Sequence, residues 1–208
     1  MKVSIIGTGN MGSSLAAAFA AVGHEIAIGG RDPAKAADLA KKIGRGAIGG
    51  TVQAAAQSSD VVVLAVPYAA MSDVIAEPNV LAGKVVVDVS NPITADFKGL
   101  VVGHTTSAAE EIQKRVPQAH VVKAFNTIFA SLLDAQARRG KTPQVFVAGD
   151  NENAKRVVAE LIRSTGFEPV ESGPLSNSRF IEPIGEMNIH FGFFLGRGSM
   201  VAPAWVQI

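Results

Sequence analysis

The chain contains no cysteine in its 208 residues, which excludes disulfides, thiolate catalysis, iron–sulfur clusters and cysteine-bound zinc together. Histidine is almost as scarce: His24, His104, His120 and His190 are the four, and none stands at a metal-ligand spacing. No metal site is expected. Charged residues make up 18% of the chain and nearly cancel to a net +1, so neither a nucleic acid nor a membrane surface has an electrostatic reason to bind. No apolar run approaches the ~18 residues of a membrane-spanning helix. The apolar start is broken by Gly7 and Gly9 too early for a secretion signal, and a cytoplasmic location is the expectation. What is plentiful is hydrophobic side chain, 48% of residues, enough for a large core and too much for disorder. The length fits one domain with a small appendage.

Short β-branched runs at 3–6, 25–28, 60–66, 84–89 and 121–124 read as strands buried on both faces, the pattern of a parallel sheet. Alanine-rich helical stretches alternate with them at 10–22, 33–43, 52–57 and 69–75, the first two ending at Gly23 and Gly44. A strand at 144–148, a helix at 153–164 and an extended 169–171 follow. This alternation is that of βαβ units and predicts an α/β fold with a doubly wound parallel sheet of the Rossmann kind. Residues 1–172 are read as the dinucleotide-binding core. Residues 173–208, apolar and rich in glycine, phenylalanine and methionine, are read as a short C-terminal segment packed on that core or across a homodimer interface.

Gly7-Thr8-Gly9-Asn10-Met11-Gly12 follows the first strand and opens the first helix, the context in which GxGxxG marks a dinucleotide cradle. Gly7 permits the turn, Gly9 lets a pyrophosphate approach the backbone, and Gly12 lets helix and strand pack closely. The helix N-terminus then offers free N–H groups to the phosphates. An NAD site carries an acidic residue at the end of the second strand to hold the ribose hydroxyls. Here that strand ends in Gly29-Gly30-Arg31. The nearby Asp32 precedes Pro33, a helix-capping pattern that claims its carboxylate. Arg31, with Lys35 one turn on, is suited to a 2′-phosphate, so NADP(H) is the expected cofactor.

With these motifs the chain resembles the NADPH-dependent reductases of the deazaflavin coenzyme F420, whose dinucleotide domain is shared by the STEAP metalloreductases. The resemblance rests on Gly7–Gly12, Gly30-Arg31 through Lys35, Ala65-Val66-Pro67, the run Val122-Lys123-Ala124-Phe125-Asn126-Thr127-Ile128, and Gly173-Pro174-Leu175-Ser176-Asn177-Ser178-Arg179. It implies a Rossmann core with a short C-terminal helical segment, usually dimeric, and hydride transfer between NADPH and a flavin-like ring. The sequence departs from the deazaflavin reductases at Asn126 and Phe129, where they tend to carry histidine and proline, and is closer there to the STEAP-type domain.

In such sheets ligands lie beyond the carboxyl ends of the strands, so Pro67-Tyr68, Asn91 and Ala124 to Thr127 are expected to converge on the nicotinamide. Tyr68, Asn126 and Thr127 are assigned to the substrate pocket. Gly7 to Gly12, Gly30, Arg31, Lys35, Ala65, Val66, Pro67, Asn91 and Ala124 are assigned to the cofactor. Phe191, Phe193, Phe194 and Met200 are candidates to roof the ring. No acid–base pair occurs in these loops, which suits a transfer where positioning suffices, and no catalytic side chain is named. The expected acceptor is a small molecule, coenzyme F420 or FMN or FAD as co-substrate. An imine or carbonyl reductase and a non-catalytic NADPH sensor are the rival readings. The imine reductases need a long helical second domain, for which about 36 residues after the core leave no room.

Overall fold

Runs that can bury both faces become the central strands. The protein is described by a computed structural model over residues 1–208, the side chain of Pro78 aside. β1 (Lys2–Ile6), β2 (Glu25–Gly30), β3 (Ile48–Thr51), β4 (Val61–Leu64), β5 (Val85–Asp88) and β6 (His120–Lys123) are parallel. With β7 (Gln144–Gly149) and β8 (Glu168–Glu171) they form one sheet in the order β3-β2-β1-β4-β5-β6-β7-β8. The chain winds outward from β1 to β3 and returns to β4 on the other side of β1, which opens a crevice between the carboxyl ends of β1 and β4. The helices are α1 (Asn10–Ala21), α2 (Pro33–Ile43), α3 (Val52–Gln57), α4 (Met71–Val74), α5 (Ala108–Arg115), α6 (Glu152–Ser164) and α7 (Ser178–Ile189). A π-helical turn, His190–Phe194, continues α7.

Both faces of the sheet are covered. Val3, Ile5, Val61 and Val63 pack with Leu15, Phe19 and Leu161 in one apolar cluster, while Ile6, Val62 and Leu64 pack with Ile112 and Leu175 in another. Alternate residues of a strand point to opposite faces, so the two clusters are the two sides of a doubly wound fold.

The sheet departs from the expected all-parallel pattern at one seam. β7 runs antiparallel to β6, and only Val122↔Gly149 and Lys123↔Ala148 are in register. β8 is parallel to β7, so this reversed pair ends level with the carboxyl end of β6 and delivers the chain there. β3 and α5 were not expected from the sequence. β3 reads Ile-Gly-Gly-Thr, and four of the eight residues of α5 are charged with only Ala108, Ala109 and Ile112 buried, so the apolar signal is short in both. The single helix expected at 69–75 is instead a 3₁₀ turn, Tyr68–Ala70, followed by α4.

The segment after Gly173 docks by one stripe of α7. Ser178, Ile181, Glu182, Gly185 and Asn188 are buried at helical spacing. Phe180, Met187, Phe191, Phe193, Phe194 and Leu195 of this segment are exposed on this chain. Arg179 anchors the helix to α5: its Nε and Nη2 donate to the two carboxylate oxygens of Glu110 at 2.8 and 2.5 Å. Those bonds hold the Glu110 carboxyl below the usual carboxylate range. A depressed carboxyl adds stability above its unfolded value, about 4.3, and that stability is lost as pH falls through the folded value. Thermal melts between about pH 5 and pH 3 are therefore expected to show a falling midpoint, with a shallower fall in Arg179→Met. Identical pH slopes in the two proteins would show that the pair adds nothing.

Candidate functional site

The glycine loop is built as a dinucleotide cradle. Gly7 leaves β1 at φ +127°, its N–H donating to the Gly29 carbonyl at 2.8 Å, a backbone conformation that side chains other than glycine's rarely adopt. A Cβ on Gly12 would overlap the Gly7 carbonyl, so helix and strand touch backbone to backbone. Gly9 is the N-cap of α1 and supplies no side-chain cap, and nothing lies within 4 Å of where its Cβ would be. The first-turn N–H groups of α1 thus face an open hollow with no partner of their own, which fits a pyrophosphate. Ala65 and Val66 back Gly7, and the Ala65 N–H donates to the Ile6 carbonyl at 2.8 Å.

Beside the cradle, Gly30 closes β2 against the Thr8 side chain and Arg31 follows it, exposed. Arg31 makes no ion pair among the described residues. The Asp32 carboxylate accepts from the N–H groups of Ala34 and Lys35 at 3.0 and 3.1 Å, capping α2 as the Asp-Pro pattern foretold. The rim therefore presents Arg31 and the exposed Lys35 without a free carboxylate between them, an arrangement that suits a 2′-phosphate.

A cavity of about 890 Å³ opens beyond the carboxyl ends of β4, β5 and β6. It brings together Asn10, Met11, Pro67, Asn91, Asn126 and Thr127 of the expected residues, with Gly185, Asn188, Phe193 and Phe194 from the C-terminal segment above them. Ala124 is fully buried beneath. None of the described lining residues is acidic, basic or histidine. Tyr68 is not among them. The 3₁₀ turn after Pro67 carries it to a separate hollow beside Glu111 and Arg115, where burial raises its phenol above the ordinary value. Phe191 and Met200 also lie outside the cavity lining, so the roof is Phe193 and Phe194, with Phe193 edge-on to Phe129 at 5.3 Å between centroids.

The floor is locked by two asparagines. Asn91 Nδ2 donates to the Asn126 carbonyl and Asn126 Nδ2 to Asn91 Oδ1, both at 2.8 Å. Asn126 Nδ2 also reaches the Ile181 carbonyl of α7 at 3.1 Å. This leaves Asn126 Oδ1 and Thr127 Oγ1 buried at the cavity without partners. Phe125, just before them, is buried at φ +61°, a strained conformation for an aromatic residue. Its ring is held edge-on between Phe19 and Phe167 at 6.0 and 6.2 Å.

Beneath the floor lies a buried ion cluster that the sequence reading missed. Lys123 Nζ is 2.5 Å from Asp88 Oδ2 and 2.8 Å from Glu182 Oε1, with all three side chains at most 1% exposed. Burial by itself lowers a lysine, yet the two carboxylates more than offset it and the ammonium is held above its ordinary value. The Glu182 oxygens also accept from the Ala108 and Ala109 N–H groups at the start of α5, at 3.0 and 3.2 Å. The signals in the sequence were a lysine inside an apolar strand and an aspartate closing Val-Val-Val. Among the described residues no three His, Asp or Glu side chains are grouped to hold a metal ion, and no helix is long and apolar enough to cross a membrane.

Residues 2–92 match the model of the family described as NADP oxidoreductase, coenzyme F420-dependent. The chain is 37% identical over 206 residues to the F420-dependent NADP reductase of Methanothermobacter thermautotrophicus, covering 91% of this chain and 88% of that one. It is 35% identical over 183 residues to the rat metalloreductase STEAP3, where the match takes in 88% of this chain but only 36% of the relative's length. A solved structure from Arthrobacter sp. FB24, of a protein proposed to be an F420-dependent NADP reductase, superposes with a TM-score of 0.85 at 31% identity over 94% of this chain and 95% of that one. Cradle, sheet order and full-length similarity agree, and the chain belongs to the F420-dependent NADP oxidoreductase family, as an NADP-dependent oxidoreductase on a Rossmann fold.

Proposed function

We propose that this protein transfers a hydride between NADPH and the ring of a flavin-like acceptor, with a deazaflavin of the coenzyme F420 type as the leading candidate. The observation that carries this reading is the uncharged cavity: it joins the cradle to a roofed hollow and contains no acid or base among the described residues. When bound, NADPH supplies the hydride from its nicotinamide ring, and the chain's part is to align and dry the two rings. The α1 N-terminus and Gly7 to Gly12 hold the pyrophosphate, and Gly30, Arg31 and Lys35 hold the adenosine end. Pro67, Asn91 and Ala124 shape the nicotinamide end, and Asn126 Oδ1 and Thr127 Oγ1 offer hydrogen bonds to the bound rings. Residues 1–172 form the nucleotide-binding part, and 173–208 supply the roof that excludes water.

Imine or carbonyl reduction asks for a proton donor at the reacting atom. The nearest histidine of the roof segment, His190, is bonded to the Phe97 carbonyl at 2.8 Å and stacked on Phe194, and it is not part of the cavity lining. The test is NADPH oxidation, followed by nicotinamide absorbance, against coenzyme F420, FMN, FAD, ferric chelates and a cyclic imine. Turnover with a flavin-type ring is expected. Turnover with the imine alone, or with none of them, would overturn the reading in favour of an imine reductase or a sensor.

The exposed face of the roof segment has its own cover in this reading. Phe180, Met187, Phe191 and Phe194 follow one another at steps of seven, four and three residues and are all exposed, so they form one apolar stripe along α7 and its π-helical continuation. An uncovered stripe of this kind is self-complementary across a two-fold axis, and a homodimer results. Light scattering at micromolar concentration is expected to give the dimer mass, and Phe180→Glu with Met187→Glu the monomer mass. A wild-type monomer would end this part of the proposal.

A further inference from the structure

We propose that Lys123 is a positioning residue for the nicotinamide end of the site, acting on Asn91 through the backbone of Ser90. The inference rests on the reading of the cavity given above. Asp88 and Lys123 are register partners at the ends of β5 and β6. Asp88 Oδ1 accepts from the Ser90 N–H at 2.9 Å, and Lys123 Nζ donates to the Ser90 carbonyl at 2.8 Å. Both backbone polar atoms of Ser90 are therefore gripped from below, and Asn91 is the next residue. Its side chain then fixes Asn126 through the two reciprocal 2.8 Å bonds.

The chemistry explains why the residue is lysine. An ammonium has three N–H donors, and here each has an acceptor: Asp88 Oδ2, Glu182 Oε1 and the Ser90 carbonyl. The second negative charge, on Glu182, is answered by the two free N–H groups that open α5. Glu182 comes from the same helix whose Gly185 lies against the asparagine lock, where a Cβ would meet Asn91 Oδ1 at 2.5 Å. A buried ion pair with a purely structural role can be exchanged for apolar residues of similar volume with little loss. An exchange here also leaves the Ser90 carbonyl unheld, so the functional defect outlasts any repair of stability.

The experiment uses Lys123→Met combined with Asp88→Asn and Glu182→Gln, which leaves no uncompensated buried charge. Three quantities are read. Affinity for adenosine 2′,5′-bisphosphate, which reaches only the Arg31 end, is expected to stay at the wild-type value. The fluorescence of bound NADPH, which reports the surroundings of its nicotinamide, is expected to move toward that of free NADPH. With an acceptor that the wild type turns over, kcat is expected to fall roughly 100-fold, the scale of a misplacement of about 1 Å. Glu182→Gln alone keeps the grip on Ser90 and is expected to keep the wild-type emission. Wild-type emission and kcat in the triple variant would overturn the proposal, as would a loss of bisphosphate affinity equal to the loss of kcat. Should the triple variant not fold, Lys123→Gln replaces Lys123→Met in the same Asp88→Asn, Glu182→Gln background, its amide too short to reach Ser90, and carries the same expectation for emission. If the wild type reduces no flavin-type ring, the functional reading fails by itself, and the emission comparison still decides the role of Lys123.

Discussion

Replacing Arg31 by alanine is expected to weaken NADPH binding by about 10- to 150-fold and to leave NADH binding unchanged. A hydrogen bond to a charged group contributes about 1.5–3 kcal/mol, and each 1.4 kcal/mol is about tenfold in affinity. Nothing in the fold competes for this guanidinium: it is exposed and has no ion partner among the described residues. The one carboxylate close by in sequence, Asp32, is engaged by the first turn of α2. Because the rim is exposed, the loss should shrink at high salt. Lys35→Ala should act in the same direction and more weakly, since an ammonium lacks the planar donor fork. Calorimetric titration with both dinucleotides is the measurement. Equal weakening of NADH and NADPH would make Arg31 a structural residue.

The second large effect is expected at Gly12. Its added methyl in Gly12→Ala would overlap a backbone carbonyl, that of Gly7, and Gly7 cannot swing away because its N–H is bonded to Gly29 and Ala65 lies behind it. Overpacking of this kind costs typically about 1–3 kcal/mol. Relief comes only by lifting the start of α1 off β1, which moves the N–H groups that meet the pyrophosphate. Affinity for NADPH and NADH should fall together, in contrast to Arg31→Ala, and the thermal midpoint should fall as well. A variant with wild-type affinity for both would show that the helix start does not form the phosphate site.

Both residues were legible in the sequence, and the reason is local. GxGxxG and Gly-Arg-Asp-Pro are each written within a few residues, so spacing alone reveals them, although Gly7 itself is braced from Gly29 and Ala65. The limits of α2 were equally plain, with Asp32-Pro33 at one end and Gly44 at the other. α5 carried a signal that went unread: Ser107 and Glu110 stand at capping-box spacing, the Glu110 N–H bonded to Ser107 Oγ at 3.2 Å and the Ser107 hydroxyl donating to the Glu110 carboxylate at 2.8 Å. β3 had no such signal, since two of its four residues are glycines. The reversal of β7 was hidden for another reason, because an apolar run reads the same in either direction. The ion cluster was least visible. Asp88, Lys123 and Glu182 come from β5, β6 and α7, and no spacing rule links them. Tyr68 lies outside the cavity lining because a strand's carboxyl end marks where a loop starts and says little about where a 3₁₀ turn then takes it.

The left-handed Phe125 has a consequence for how the molecule assembles. Such a turn costs about 1–3 kcal/mol for a bulky residue and has no reason to form alone. What offsets it is the packing of the ring between Phe19 of α1 and Phe167 at the approach to β8. Those partners lie far away along the chain in both directions, so the turn gains its support only when the two ends of the fold have met. A fragment ending before Phe167 would keep the braces of the cradle at Gly29 and Ala65 but would lose one of the two walls that hold Phe125, beside the floor of Asn126 and Thr127. The cradle thus draws its braces from residues 7–66, whereas ring alignment needs contacts that run from Phe19 to Phe167.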